Sequence, residues 1–182
     1  MFNLSPFTPA AFPDLPDIQG VRAATGSRGF YAARGMTRDD VFLFEFAPGT
    51  TCAGVFTRST TASADVIWCR EALQAGSGQA RALVVNSGNS NALDVTKPLC
   101  FLGATGGIGE PLPDANYVGS IVPELSARLA PPDWQACAKA FMTTDTYPKG
   151  AGLKASIGTD TISFAGIAKG SGMIAPNMAT ML

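Results

Sequence analysis

The chain has 182 residues, 46% of them apolar and 15% charged, and its 13 basic and 14 acidic side chains give a net charge of −1. That composition excludes an intrinsically disordered segment and is long enough for one sizeable core. Without a basic run, nucleic acid and anionic membranes are disfavoured as partners, and the lack of histidine excludes a Ser-His-Asp triad, a Cys-His pair and a His-ligated metal within these residues.

Residues 1–20 (MFNLSPFTPAAFPDLPDIQG) carry prolines and acids where a signal peptide needs a basic start and an unbroken apolar run. They predict an extended surface arm. No segment approaches the length of a membrane-spanning helix. Val41–Phe46 (VFLFEF), bounded by Asp40 and Pro48-Gly49, predicts a buried strand, and residues 52–56 (CAGVF) predict a second. Residues 63–73 space their apolar side chains helically, with Asp65 near the start where the helix dipole favours an acid. Residues 82–85 (ALVV) predict a short buried strand running into the polar turn segment 86–91 (NSGNSN). Two helices are expected over 121–129 and 133–142, separated by Pro131-Pro132, and two strands over 153–157 and 161–165, joined around Gly158-Thr159-Asp160. With no repeat and no domain boundary, the mixture predicts one α/β layered domain. Cys52, Cys69, Cys100 and Cys137 are scattered without a CxxC pair, which reads as reduced thiols and a reducing cytoplasm.

Four stretches can carry chemistry. Residues 104–109 (ATGGIG) are glycine-dense enough for backbone N–H groups to converge on an anion, although such a hexamer alone reads equally as a plain loop. Residues 143–146 (TTDT) offer hydroxyls and a carboxylate that can bind a polar substrate or cap a helix. Residues 86–91 can bond a ligand or form Asx turns. Residues 169–182 (KGSGMIAPNMATML) are more specific, because Gly170 and Gly172 permit unusual backbone angles and Pro176 stiffens the approach to Ala179-Thr180. A constrained backbone can press the Thr180 hydroxyl onto the carbonyl of Ala179, convert that amide to an ester and let water break the chain. The new N-terminal threonine then carries its own base, an α-amine of ordinary pKa about 7.7–8.0, so no histidine is needed.

Together with GVFTRSTTASADVIWCREAL, NSGNSNA, TGGIGEPLP and TTDTYPK in the same order, KGSGMIAPNMATML resembles the ornithine acetyltransferase / glutamate N-acetyltransferase (ArgJ-like) family of arginine biosynthesis. The resemblance covers most of the chain. It implies a layered α/β sandwich of the DmpA/ArgJ-like type, of which residues 1–182 form the N-terminal half, a single domain that is the α-chain portion of a self-cleaving precursor cut between 179 and 180. It implies transfer of acetyl from N2-acetylornithine to glutamate through an acetyl-threonine on Thr180. Thr105 and Gly106 match the oxyanion-stabilising pair of the family. Thr143 (with Thr144 as the close alternative) and Lys169 match its substrate-binding residues. It further implies no bound cofactor, acetyl-CoA as an optional second acetyl donor, a C-terminal β chain from the same precursor, an α2β2 heterotetramer and a cytoplasmic location.

The sequence departs from the family pattern in three places. Ala104 stands where a serine usually precedes the oxyanion pair, followed by Gly107 where valine is usual. Only residues 93–103 separate the asparagine motif from that loop, where relatives carry a longer segment. The sequence stops at Leu182, where relatives continue for about as long again. These departures keep two other readings open: a truncated, inactive remnant, or a self-processing aminopeptidase-like hydrolase with an N-terminal nucleophile.

Overall fold

The run VFLFEF forms the central strand of a four-stranded sheet. Strands β1 (Val21–Gly26) and β3 (Ala82–Ser87) pair antiparallel on either side of β2 (Val41–Phe46), and β4 (Phe101–Thr105) runs parallel to β3 at the far edge. The structure is a computed structural model that describes residues 4–58, 60, 62–89, 101–105 and 117–171.

The near-continuous hydrophobicity of β2 follows from cover on both faces, since successive side chains point to opposite sides of a sheet. Val41 and Leu43 join Ala24 and Val84 in one core with Val118, Ile121 and Leu125, the last from helix α2 (Val122–Ala127). Phe42 and Phe44 join Ala23 and Val85 in a second core with Cys137, Ala138 and Ala140 of helix α3 (Trp134–Ala140) and with Phe141. There Phe42 meets Phe141 edge to face at 5.6 Å between centroids, and Phe44 meets Trp134 at 5.7 Å. Helix α1 (Ala64–Ala75) packs against β4 and keeps Asp65 in its first turn, as the dipole argument expects. Asp133 is the N-cap of α3: its carboxylate accepts the N–H of Ala136 at 2.9 Å. The layered α/β architecture read from the sequence is therefore present.

Several local expectations change. Residues 52–56 form no strand. Both edges of β2 are already occupied, so the chain past Pro48-Gly49 bridges only from Thr51 to Gln79, Cys52 and Phe56 pack against the cluster of Cys69 and Ala80, and Val55 is left exposed. Strand β3 runs beyond the expected 82–85 and takes in Asn86 and Ser87, both buried; the turn starts only at Gly88. Gly88 has φ +96°, and a Cβ there would lie 2.6 Å from that of Phe30, so glycine is required. Strands β5 (Lys149–Ile157) and β6 (Asp160–Ala168) form the expected hairpin about Gly158-Thr159 but reach further toward the sheet. The arm over residues 4–20 holds no helix or strand and tucks Phe12 against the second core. Cys69 and Cys137 are buried reduced thiols, and Cys52, half-buried, is likewise reduced. Burial, with the charge of Asp133, pushes Cys137 up to about 12. Cys100 lies outside the described residues.

Asp40 organises the loop between β1 and β2. It is wholly buried, and its carboxylate accepts the N–H groups of Arg28 at 2.6 Å and Phe30 at 2.8 Å. Burial raises its carboxyl above the ordinary 3.8 against the pull of those bonds. Asp40→Ala strands both donors, and chemical denaturation is expected to show a loss of about 2–4 kcal/mol.

Candidate active site

Helix α3 is only two turns long, so its C-terminal carbonyls need partners from elsewhere. The Arg38 guanidinium donates to the carbonyl of Lys139, Ser87 Oγ to that of Ala140 at 2.7 Å, and the Tyr31 hydroxyl to that of Met142 at 3.2 Å. These three bonds deliver the chain to residues 143–145 beside the carboxyl end of β3. Strand β4 ends there too, because Thr105 is the register partner of Ser87. The end of β6 returns to the same place with Lys169, Gly170 and Ser171. The carboxyl ends of parallel strands are where open α/β sheets commonly present ligand sites.

Lys169 and Thr143 meet there. Lys169 is 5% exposed, and its Nζ donates to Thr143 Oγ1 at 2.9 Å. Thr144, the alternative raised by the sequence, instead shares a 2.8 Å hydrogen bond with Ser171 Oγ. Beneath the pair lies Asp145, 7% exposed, whose Oδ1 accepts Lys149 Nζ at 2.6 Å and the Gly170 N–H at 2.7 Å, while Oδ2 accepts the Thr143 N–H at 3.2 Å. Gly170 has φ +144°, which a residue with a Cβ adopts only with strain.

The electrostatics follow from this packing. Burial alone would raise the Asp145 carboxyl, but the Lys149 hydrogen bond, the N–H groups of Gly170 and Thr143 and the Lys149 charge hold it below the ordinary 3.8. Burial lowers the Lys169 ammonium below the ordinary 10.5; Asp145 opposes that shift and Lys149 adds to it. A desolvated ammonium beside a hydroxyl is suited to bind a substrate carboxylate by a charge-assisted bond.

Of the residues singled out from the sequence, Thr143 and Lys169 are thus brought together, and the backbone of Thr105 ends β4 one register step across from Ser87. Gly106, Ala179 and Thr180 lie outside the described residues. Sequence reasoning gave no role to Asp145 as the hub, to Lys149 as its partner, or to Tyr31, Arg38 and Ser87 as anchors. The four-residue spacing of Asp145 and Lys149 was the one available signal, and off a helix it carries little weight.

Elsewhere, a cavity of about 600 Å³ opens between the α3 face of the sheet and β6, lined by Phe44, Phe46, Leu83, Val85, Trp134 and Phe164 among others. It has no charged side chain with which to pair an ionic substrate. Among the described residues no cluster of His, Cys, Asp or Glu could hold a metal ion, and no helix is long and apolar enough to cross a membrane.

Comparison with known proteins places this geometry in context. The model of the ArgJ family matches residues 23–99 and 93–182; the two matches meet in the shortened stretch before Thr105. The chain is 44% identical to the arginine biosynthesis bifunctional protein ArgJ of Nitrobacter winogradskyi, over 98% of this chain and 47% of that protein. It is also 44% identical to the protein of the same name from Bradyrhizobium diazoefficiens, over 99% of this chain and 47% of that one. It therefore spans about half the length of the curated relatives it matches. The fold is similar to that of an ornithine acetyltransferase from Mycobacterium tuberculosis solved with ornithine, at a TM-score of 0.71 and 27% identity, covering 90% of this chain and 93% of that one. A second solved structure, the arginine biosynthesis bifunctional protein ArgJ of Bacillus halodurans, gives a TM-score of 0.71 and 26% identity, covering 88% and 92% of the two chains.

Proposed function

The chain belongs to the ArgJ family, and on that premise we propose that the precursor containing it is an acetyltransferase that moves acetyl from N2-acetylornithine to glutamate. Cleavage between Ala179 and Thr180 frees the Thr180 amine. That amine takes the proton of the Thr180 hydroxyl as the oxygen attacks the acetyl carbonyl, and ornithine leaves with its α-nitrogen protonated. The α-amine of glutamate then attacks the threonine ester and regenerates the hydroxyl. Thr105 and Gly106 stabilise the oxyanion in both steps, where removal of one such donor typically costs about 10²–10³ in rate. Lys169 and Thr143 hold the substrate carboxylate, with the C-terminal β chain completing the site in an α2β2 assembly.

The observation that carries this reading is the buried Lys169 ammonium, bonded at 2.9 Å to Thr143 Oγ1, at the end of the sheet where Thr105 also lies. Both substrates bring a carboxylate that such a pair can bind. The hydrolase alternative differs in its acceptor. The protein expressed from its complete reading frame is expected to resolve by intact mass into two chains divided before Thr180, and to convert N2-acetylornithine and glutamate into ornithine and N-acetylglutamate. Free acetate as the only acetyl product would refute transfer and favour the hydrolase. Acetyl-CoA supplied in place of N2-acetylornithine tests the second donor in the same assay.

A further inference from the structure

Asp145 gathers donors from both segments that meet at the candidate site. Its two oxygens take the backbone N–H of Thr143, on the loop after α3, and the backbone N–H of Gly170, directly after Lys169 at the end of β6. Those segments are separated in sequence by the whole β5–β6 hairpin; side-chain bonds join them between Lys169 and Thr143 and between Thr144 and Ser171, and among the described residues the carboxylate alone ties their backbones together. Its third donor, Lys149, is held from three directions: by Asp145 Oδ1 at 2.6 Å, by the carbonyl of Tyr147 at 3.4 Å and by the Tyr147 ring, 4.6 Å from Nζ to centroid. That arrangement suits Lys149 to balancing Asp145 rather than to binding substrate.

We propose that Asp145 is a positioning residue for acetyl transfer, one buried carboxylate that clamps the Thr143 and Lys169 segments together with Lys149 as its counter-charge. The inference rests on the transferase reading above and extends it to residues that touch no reacting atom. If it holds, loss of the clamp loosens the binding of both substrates, while the cleavage chemistry of Thr180 goes on.

The test uses the complete precursor carrying Asp145→Asn, which keeps the shape but replaces one accepting oxygen with an amide that cannot accept the second N–H. KM for N2-acetylornithine and for glutamate is expected to rise about ten- to a hundredfold, with kcat within about threefold and cleavage into two chains retained. Lys149→Met is the companion variant. It leaves both backbone bonds to Asp145 in place but unbalances its charge, and a smaller rise in both KM values is expected. Should Asp145→Asn fail to fold, as judged by size-exclusion chromatography and circular dichroism, Lys149→Met decides the matter. Unmoved KM values, or a fall in kcat alone, would overturn the clamp. A wild-type protein that does not transfer acetyl would instead sink the underlying reading and this inference with it.

Discussion

Thr180→Ala in the complete precursor is expected to leave a single uncut chain and to lower acetyl transfer by about 10⁴–10⁶-fold, the usual cost of removing a covalent nucleophile. Both effects have one cause. In the proposed mechanism the same hydroxyl attacks the Ala179 carbonyl during maturation and the acetyl group during turnover, and the amine proposed as its base does not exist until the chain is cut. With no histidine in these 182 residues, no other side chain of the ordinary repertoire stands ready as a base near neutral pH. Thr180→Ser keeps a hydroxyl and is expected to cleave and to retain some of the activity. Intact mass and the acetyl-transfer assay read both variants. An alanine variant still cut before residue 180 would remove Thr180 from the mechanism.

The second large effect is expected at Lys169. Lys169→Met keeps the length of the side chain and deletes its charge; KM for both substrates should rise about a hundredfold, as is typical when a buried charged partner is lost. Cleavage should proceed. The fold should tolerate the change, because Asp145 keeps Lys149 as its ion-pair partner. The pH dependence has a definite sign. Burial places the ammonium below the ordinary 10.5, with Asp145 raising it and Lys149 lowering it. As the pH climbs through that depressed value, Lys169 loses its proton and its hold on a carboxylate, so kcat/KM should fall on the alkaline side earlier than for an ordinary lysine. Lys169→Met should lack this limb. For stability the direction is reversed: the folded state binds fewer protons than the unfolded state between the depressed value and 10.5, so Lys169 makes stability rise with pH across that interval.

How far the fold was legible in the sequence varied by element. VFLFEF was unmistakable because β2 is covered on both faces. Strand β1 (VRAATG) was not, since two alanines and a glycine carry little β signal; its ladder with β2 makes it a strand. Strand β4 (FLGAT) has a glycine at its centre and owes its place to pairing with β3. The error over 52–56 runs the other way: CAGVF has strand composition, but the neighbouring strand β2 is already paired on both sides by β1 and β3. The candidate site was half legible. Lys169 and the threonine run stood out by their motifs, whereas the carboxylate of Asp145 read only as a substrate ligand or a helix cap and not as the hub that joins two segments.

Local chemistry is what the sequence by itself determined. Asp133 was placed to cap, Pro131-Pro132 to divide one helix from the next, Gly158-Thr159 to turn a hairpin and Gly170 to take a backbone angle closed to other residues, and each acts through neighbours a few positions away. The motifs from GVFTRSTTASADVIWCREAL to KGSGMIAPNMATML likewise carried the family. Only the tertiary structure decided which distant groups meet. Thr143 and Lys169 lie 26 residues apart, and Ser87 lies 53 residues from the carbonyl it binds. No local pattern encodes those separations. They are set by sheet order and by the demand that buried donors, acceptors and charges find partners, and that demand draws the Thr143 and Gly170 backbones onto Asp145.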